Sequence, residues 1–189
     1  MRAALLVFGL WAGIASAAVP AAEKEAGTLR TAFPDAERFD SRDVLLTDDM
    51  VSRIESLARA RVSERLVTFY TAYRGGAVAG HAVIHSHIVR TKRETLLMAF
   101  EPDGRIRRIS VVAFLEPQEY RPSERWLRQF EGKSSADKLA VGQDIAPISG
   151  ATLTARGITE QSRWLLQALK LATDGAGAAA RTASEGRKP

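Results

Sequence analysis

The sequence predicts an α+β fold: a single domain built from an antiparallel sheet with flanking helices. Apolar segments of strand length follow one another through the middle of the chain. They are joined by the turn signals Gly75-Gly76 and Asp103-Gly104, which make successive strands antiparallel. Segments of helical periodicity stand before and after this run, an order that gathers helices onto one face of the sheet. The 189 residues, 46% apolar and 26% charged, suffice for one domain with its own core and are too few for two.

The N-terminus carries Arg2, then an uncharged apolar run, then "ASA" before Ala18. This is the order of a secretory signal peptide over residues 1–17, cleaved after Ala17, with an uncleaved membrane anchor as the alternative. Residues 18–46 read as a linker or N-terminal segment, of which "AVPAAEKEAGTLR" is a linker or a frayed first helix. The domain spans residues 47–171. It opens with "TDDMVSRIESLARARV", where Thr47 is the expected cap, two Asp complement the helix start, and Met50, Val51, Ile54, Leu57 and Ala58 recur at helical spacing. "RLVTFYTAY" and "AVAGHAVIHSHIVRT" follow as strands around Gly75-Gly76, and "ETLLMAFEPDGRIRRISVVAFLEP" as a pair of strands around Asp103-Gly104. "RPSERWLRQFEG" is a short helix opened by Pro122 or Ser123 and ended by Gly132. The last helix is "TARGITEQSRWLLQALKLA", with Ile158, Leu165, Leu166 and Leu169 as its apolar stripe. From Ala172 to residue 189 the composition is small and polar with Gly, which predicts a disordered tail.

Composition removes several chemistries. With no cysteine there are no disulfides, thiolate metal sites, Cys nucleophiles, thiolate-held iron–sulfur clusters or thioether-linked haem. The net charge of +5 suits a mildly basic surface facing anionic lipid or an acidic partner. The densest basic stretches, "TKRET" and "GRIRRIS", read as solvated hairpin faces, and no nucleic-acid footprint emerges.

Three places carry candidate chemistry. His81, His85 and His87, the only histidines, share one strand face, where neighbouring imidazoles can hold a divalent metal. No Asp, Glu or Cys accompanies them on that strand face, so the other reading is three bulky polar strand residues. Ser149 lacks the Gly-x-Ser-x-Gly elbow of a nucleophile, and Glu116 in "FLEPQEY" follows a strand end, a common place for a functional carboxylate. The third is "APISGATLTARGITE". Here Thr152 or Thr154 caps a helix whose N-terminus offers free N–H groups and partial positive charge to an anion, while Gly150 and Ala151 let another backbone come close.

"SGAT" followed by "LT" and an amphipathic helix resembles the flavinylation motif of the FMN-binding domain family. That family includes the G subunit of Rnf electron-transport complexes and the C subunit of sodium-translocating NADH:quinone reductase. "WLRQFEGK" is similar to the Phe-x-Gly-Lys segment that precedes the motif in that family, and the strands around Asp103-Gly104 followed by Glu116 resemble its core. The resemblance covers roughly Leu66 to Leu171. It implies FMN esterified through its phosphate to Thr152 by a dedicated flavin transferase. In that reading Ser149, Gly150 and Ala151 form the accessible turn, and Leu153, Thr154 and the following backbone amides surround the phosphate. It further implies an exported electron carrier working with a membrane-bound or periplasmic redox partner. Glu116, Tyr120 and Trp126 are the remaining candidate cofactor residues, the two aromatics as walls for the flavin ring. Where the family carries Asp in Asp-x-x-Ser-Gly-Ala-Thr phase this chain has Ala146, with Asp144 the nearest carboxylate. Non-covalent FMN at the same helix end is the alternative, as is a periplasmic metal module using His81, His85 and His87.

Overall fold

The structure, a computed structural model, describes residues 19–20 and 22–185. The expected leader lies outside the described residues. Among the described residues six antiparallel strands form one sheet in chain order: β1 (Val19–Pro20), β2 (Arg38–Leu45), β3 (Leu66–Arg74), β4 (Ala77–Ile88), β5 (Arg93–Phe100) and β6 (Ile106–Phe114). The helices are α1 (Glu23–Arg30), α2 (Asp48–Ala58), α3 (Glu124–Leu127) and α4 (Thr152–Glu185). The predicted α+β class holds. Among the described residues no helix is long and apolar enough to cross a membrane.

Alternation along the strands divides the core in two. Val67, Phe69, Val83, Leu96, Met98, Phe100 and Ile109 face α2, α3 with the turn after it, and α4, where Ile54, Leu127, Phe130, Ile158, Trp164, Leu165, Leu166 and Leu169 meet them. Burying these large side chains contributes roughly 1.5–3 kcal/mol apiece and is the main force holding α4 to the sheet. The opposite face is also covered. Tyr70, Ala72, Ala82, Leu97 and Ala99 pack against Leu29 of α1 and against Phe33, Ala36 and Phe39 beyond it.

Of the two readings of residues 18–30 the first helix is the one seen, as α1, whereas the segment after it is no linker, because β2 lies there and pairs with β3 along its whole length. The sheet is therefore clad on both faces. The cause is the apolar set Leu29, Phe33 and Phe39, three large residues spread from α1 through the following turn into β2, so that no one period runs through them. Beyond Ala172, where the sequence predicts a disordered tail, the described chain is helical. α4 runs on to Glu185 through an Ala-rich stretch of high helix propensity, and residues 186–189 lie outside the described residues. Leu57, one of the apolar positions at helical spacing, is 56% exposed in the last turn of α2.

The caps of the shorter helices follow their sequence signals. Thr47 Oγ1 accepts the Met50 N–H at 3.3 Å and Ser123 Oγ the Trp126 N–H at 3.2 Å. Gly80 sits in β4 at φ +154, where the register to β3 shifts. The ring of Phe33 covers it so closely that an added Cβ would lie 2.4 Å from the Phe100 carbonyl oxygen and 2.6 Å from that ring.

Candidate functional site

The approach to the SGAT turn is fastened at two points. Asp144 closes the preceding loop: Oδ1 accepts the Ala140 N–H at 2.7 Å, and Oδ2 accepts the Leu139 N–H and the Lys133 ammonium, each at 3.1 Å. Burial pushes the Asp144 carboxyl up, but the Ala140 N–H, Lys133 and the Leu139 N–H outweigh it and hold the group below the usual carboxylate range. Ala146 is then pinned from both sides, its N–H donating to Gln129 Oε1 at 2.8 Å and its carbonyl accepting Trp126 Nε1–H at 2.7 Å. The "WLRQFEGK" segment thus supplies Trp126, Gln129 and Lys133 as three struts for the loop that carries the motif.

Beyond Ala146 the chain turns sharply. The Ala151 N–H donates to the Ile148 carbonyl at 3.1 Å and Gly150 takes φ +76, the left-handed value that a type II turn requires at its third residue. A Cβ added at Gly150 would meet nothing within 4 Å, so the space beside the turn is open. The carbonyl of buried Ala151 accepts the Ala155 N–H, which is the first helical bond of α4. Thr152 is therefore the first helical residue and neither it nor Thr154 is the cap, contrary to the sequence reading. The turn ends one residue sooner than a Ser/Thr cap would place it.

Exposure separates the motif residues. Ser149, Gly150, Thr152 and Leu153 are exposed, whereas Thr154 is 1% exposed. Thr154 shares the inward stripe of α4 with Ile158, Gln161 and Leu165, so the helical period removes it from any phosphate at the surface. The N–H groups of Thr152, Leu153 and Thr154 belong to the first turn, which an α-helix leaves without intrahelical partners. Arg156, exposed and one turn beyond Thr152 on the same face, was missed in the sequence. Its signal was its place four residues after Thr152, which puts the two side chains on one face of a helix.

The other predicted residues have different duties. Glu116 Oε1 accepts N–H groups from Thr91 and Lys92 at 2.8 Å and from Arg90 at 3.2 Å, closing the turn between β4 and β5. Those bonds, the Thr91 and Lys92 ones foremost, hold its carboxyl below the usual range against the opposing effect of burial. Tyr120, in a short 3₁₀ turn, carries the Arg90 guanidinium over its ring at 5.3 Å. Trp126 is buried, meets Phe130 edge to face at 5.3 Å, and spends its N–H on Ala146. It is a core residue and a strut, so Tyr120 and Trp126 do not form the expected pair of ring walls.

The histidines share a face as predicted, but α4 covers two of them. His85 Nε2 lies 2.9 Å from Gln161 Oε1, which also accepts Trp164 Nε1–H at 2.6 Å. Because that amide oxygen can only accept, His85 is the donor. Burial lowers the His85 pKa to about 4, with His87 adding to the effect and the Gln161 bond opposing it. His87 stacks on His85 with ring centroids 6.1 Å apart, and its Nε2 is 3.2 Å from Glu94 Oε2. Glu94 is fully buried, and its place on the inward parity of β5 with Leu96 and Met98 was the overlooked signal. His81 lies apart, its Nδ1 3.3 Å from Thr71 Oγ1. Among the described residues no group of three or more His, Cys, Asp or Glu is placed to hold a metal ion.

The contacts with α4 also orient it. Gln161 meets His85 and Gly157 lies over His87, so the helix runs backward toward the end of β4. Thr152 thus lies at the same end of the sheet as the turn that Glu116 closes. No protein-family model, curated protein or solved structure matches the chain.

Proposed function

We propose that the protein is an exported electron carrier in which the FMN phosphate is esterified to Thr152 Oγ1. The observation that carries the reading is the exposed Thr152 hydroxyl on the first turn of α4, beside a turn whose Gly150 leaves open space. A transferase must bring a bulky donor against that hydroxyl, and a bare, rigidly mounted shoulder is what this requires. Trp126, Gln129, Lys133 and Asp144 supply the rigidity from below.

The chain's own residues would then act as follows. The first-turn N–H groups and Arg156 offset the charge of the phosphodiester, and the helix dipole favours an anion at this position. Thr154 takes no part in that contact. The flavin supplies reversible electron transfer when bound, and covalent attachment keeps it from being lost by dilution outside the cell. Maturation calls for a flavin transferase, and the electrons pass to and from a membrane-bound or periplasmic redox partner. The test is flavin fluorescence on the denatured chain after co-production with a transferase. The account expects fluorescence in the wild type and in Thr154→Val, and none in Thr152→Val.

A further inference from the structure

The outer face of the sheet, which α1 and Phe33 clad over Ala72, Ala82, Leu97 and Ala99, is bare toward the turn between β4 and β5. There Ser86 is exposed and Ile88 is 58% exposed. Ile88 stands opposite exposed Arg93 in the β4–β5 ladder. The Arg93 carbonyl accepts the Leu115 N–H at 3.0 Å, which sets Leu115, 59% exposed, opposite Arg93 on its other side. Two bare aliphatic side chains thus flank a guanidinium on one face.

Arg90 and Lys92, both exposed, complete this tip. Among the described residues no carboxylate forms an ion pair with Arg90, Lys92 or Arg93. Glu116, whose charge reaches Arg90, is buried and spent on the N–H groups of residues 90–92. Glu94 is buried as well, so Glu119 is the one exposed carboxylate of residues 86–95 and 113–120. The tip is also rigid. The Val89 N–H donates to the Lys92 carbonyl at 3.1 Å, and Glu116 closes the turn from within, so a partner meets it without having to order it. The first turn of α4 lies at this end too, with Leu153 and Arg156 exposed.

A row of alternating aliphatic and basic side chains suits the boundary of an anionic bilayer. The aliphatic groups leave water among the first acyl carbons while the cations reach back to the headgroup phosphates. An acidic protein surface would use the cations and leave Ile88 and Leu115 without a role.

We propose that the β4–β5 tip docks the protein on an anionic lipid surface, Ile88 and Leu115 entering it and Arg90, Lys92 and Arg93 meeting its phosphates. The contact is independent of flavin attachment at Thr152 and is tested on the unmodified chain. The probe is sedimentation at physiological salt with vesicles of phosphatidylcholine and phosphatidylglycerol in equal parts, compared with vesicles of phosphatidylcholine alone. Binding is expected to the mixed vesicles only. Lys92→Gln combined with Arg93→Gln is expected to weaken it by about 25-fold, at about fivefold per cation. Ile88→Ser combined with Leu115→Ser is expected to weaken it by about tenfold or more. All four positions are exposed, so both variants keep the fold. No binding by the wild type, or equal binding to the two kinds of vesicle, overturns the proposal. So does affinity that falls with the charge pair and ignores the aliphatic pair, the behaviour of a site for an acidic protein. Wild-type affinity in both variants would place the lipid contact elsewhere in the chain and overturn it as well.

Discussion

The burial of His85 makes stability depend on pH in a window where few other groups titrate. In the unfolded chain this imidazole takes up a proton near pH 6.5, while in the folded protein its pKa is lowered to about 4. Between those values the unfolded state binds more protons than the folded one, so stability falls as the pH is lowered. The full shift corresponds to about 3 kcal/mol, of which about 2 kcal/mol is lost between pH 7.5 and pH 5. His81, lowered by burial as well, adds in the same direction. Asp144, Asp137 and Glu116 have depressed pKa values, and their contributions are lost only at lower pH, outside the window. Urea unfolding of the wild type at the two pH values measures the effect. For a slope of about 2 kcal/mol/M the midpoint drops by about 1 M. His85→Gln keeps a donor for Gln161 and removes the titration, so most of that drop disappears in the variant. An equal drop in wild type and variant would refute the assignment to His85, and so would a wild-type midpoint that does not move.

Gly80→Ala drives a methyl group into the Phe100 carbonyl oxygen and the Phe33 ring. It is expected to destabilise the fold by on the order of 2–3 kcal/mol, read from urea or thermal unfolding. Asp144→Ala strips the acceptor from the Leu139 and Ala140 N–H groups and from Lys133, at an expected cost of about 1–3 kcal/mol. Because the folded Asp144 pKa is depressed, the wild-type advantage is complete above the ordinary carboxylate range. It fades as the pH falls below that range, and a difference independent of pH would contradict this account.

Much of the fold was legible because its signals are local. Gly75-Gly76 and Asp103-Gly104 sit at turns between paired strands, and Thr47 and Ser123 cap their helices. What escaped depends on packing across the chain. Leu29, Phe33 and Phe39 become a second core only once β3, β4 and β5 present Tyr70, Ala82 and Leu97 to them. The same holds at the motif. The identity of "SGAT" is written in the sequence, yet the burial of Thr154 follows from the docking of α4. Trp126 became a strut because Ala146 passes within reach of its N–H, a contact across 20 positions of chain. Glu116 marked a special strand end, but its role in closing the Arg90–Lys92 turn required the neighbouring hairpin to be in place.

The central claim, a flavin joined to Thr152, is tested most directly by the intact mass of the mature chain exported from a host that contains a flavin transferase. The account predicts an increase equal to FMN minus water on the wild type, kept in Thr154→Val, whose residue is buried, and lost in Thr152→Val. An unmodified wild-type mass, or an increase that survives Thr152→Val, would contradict it.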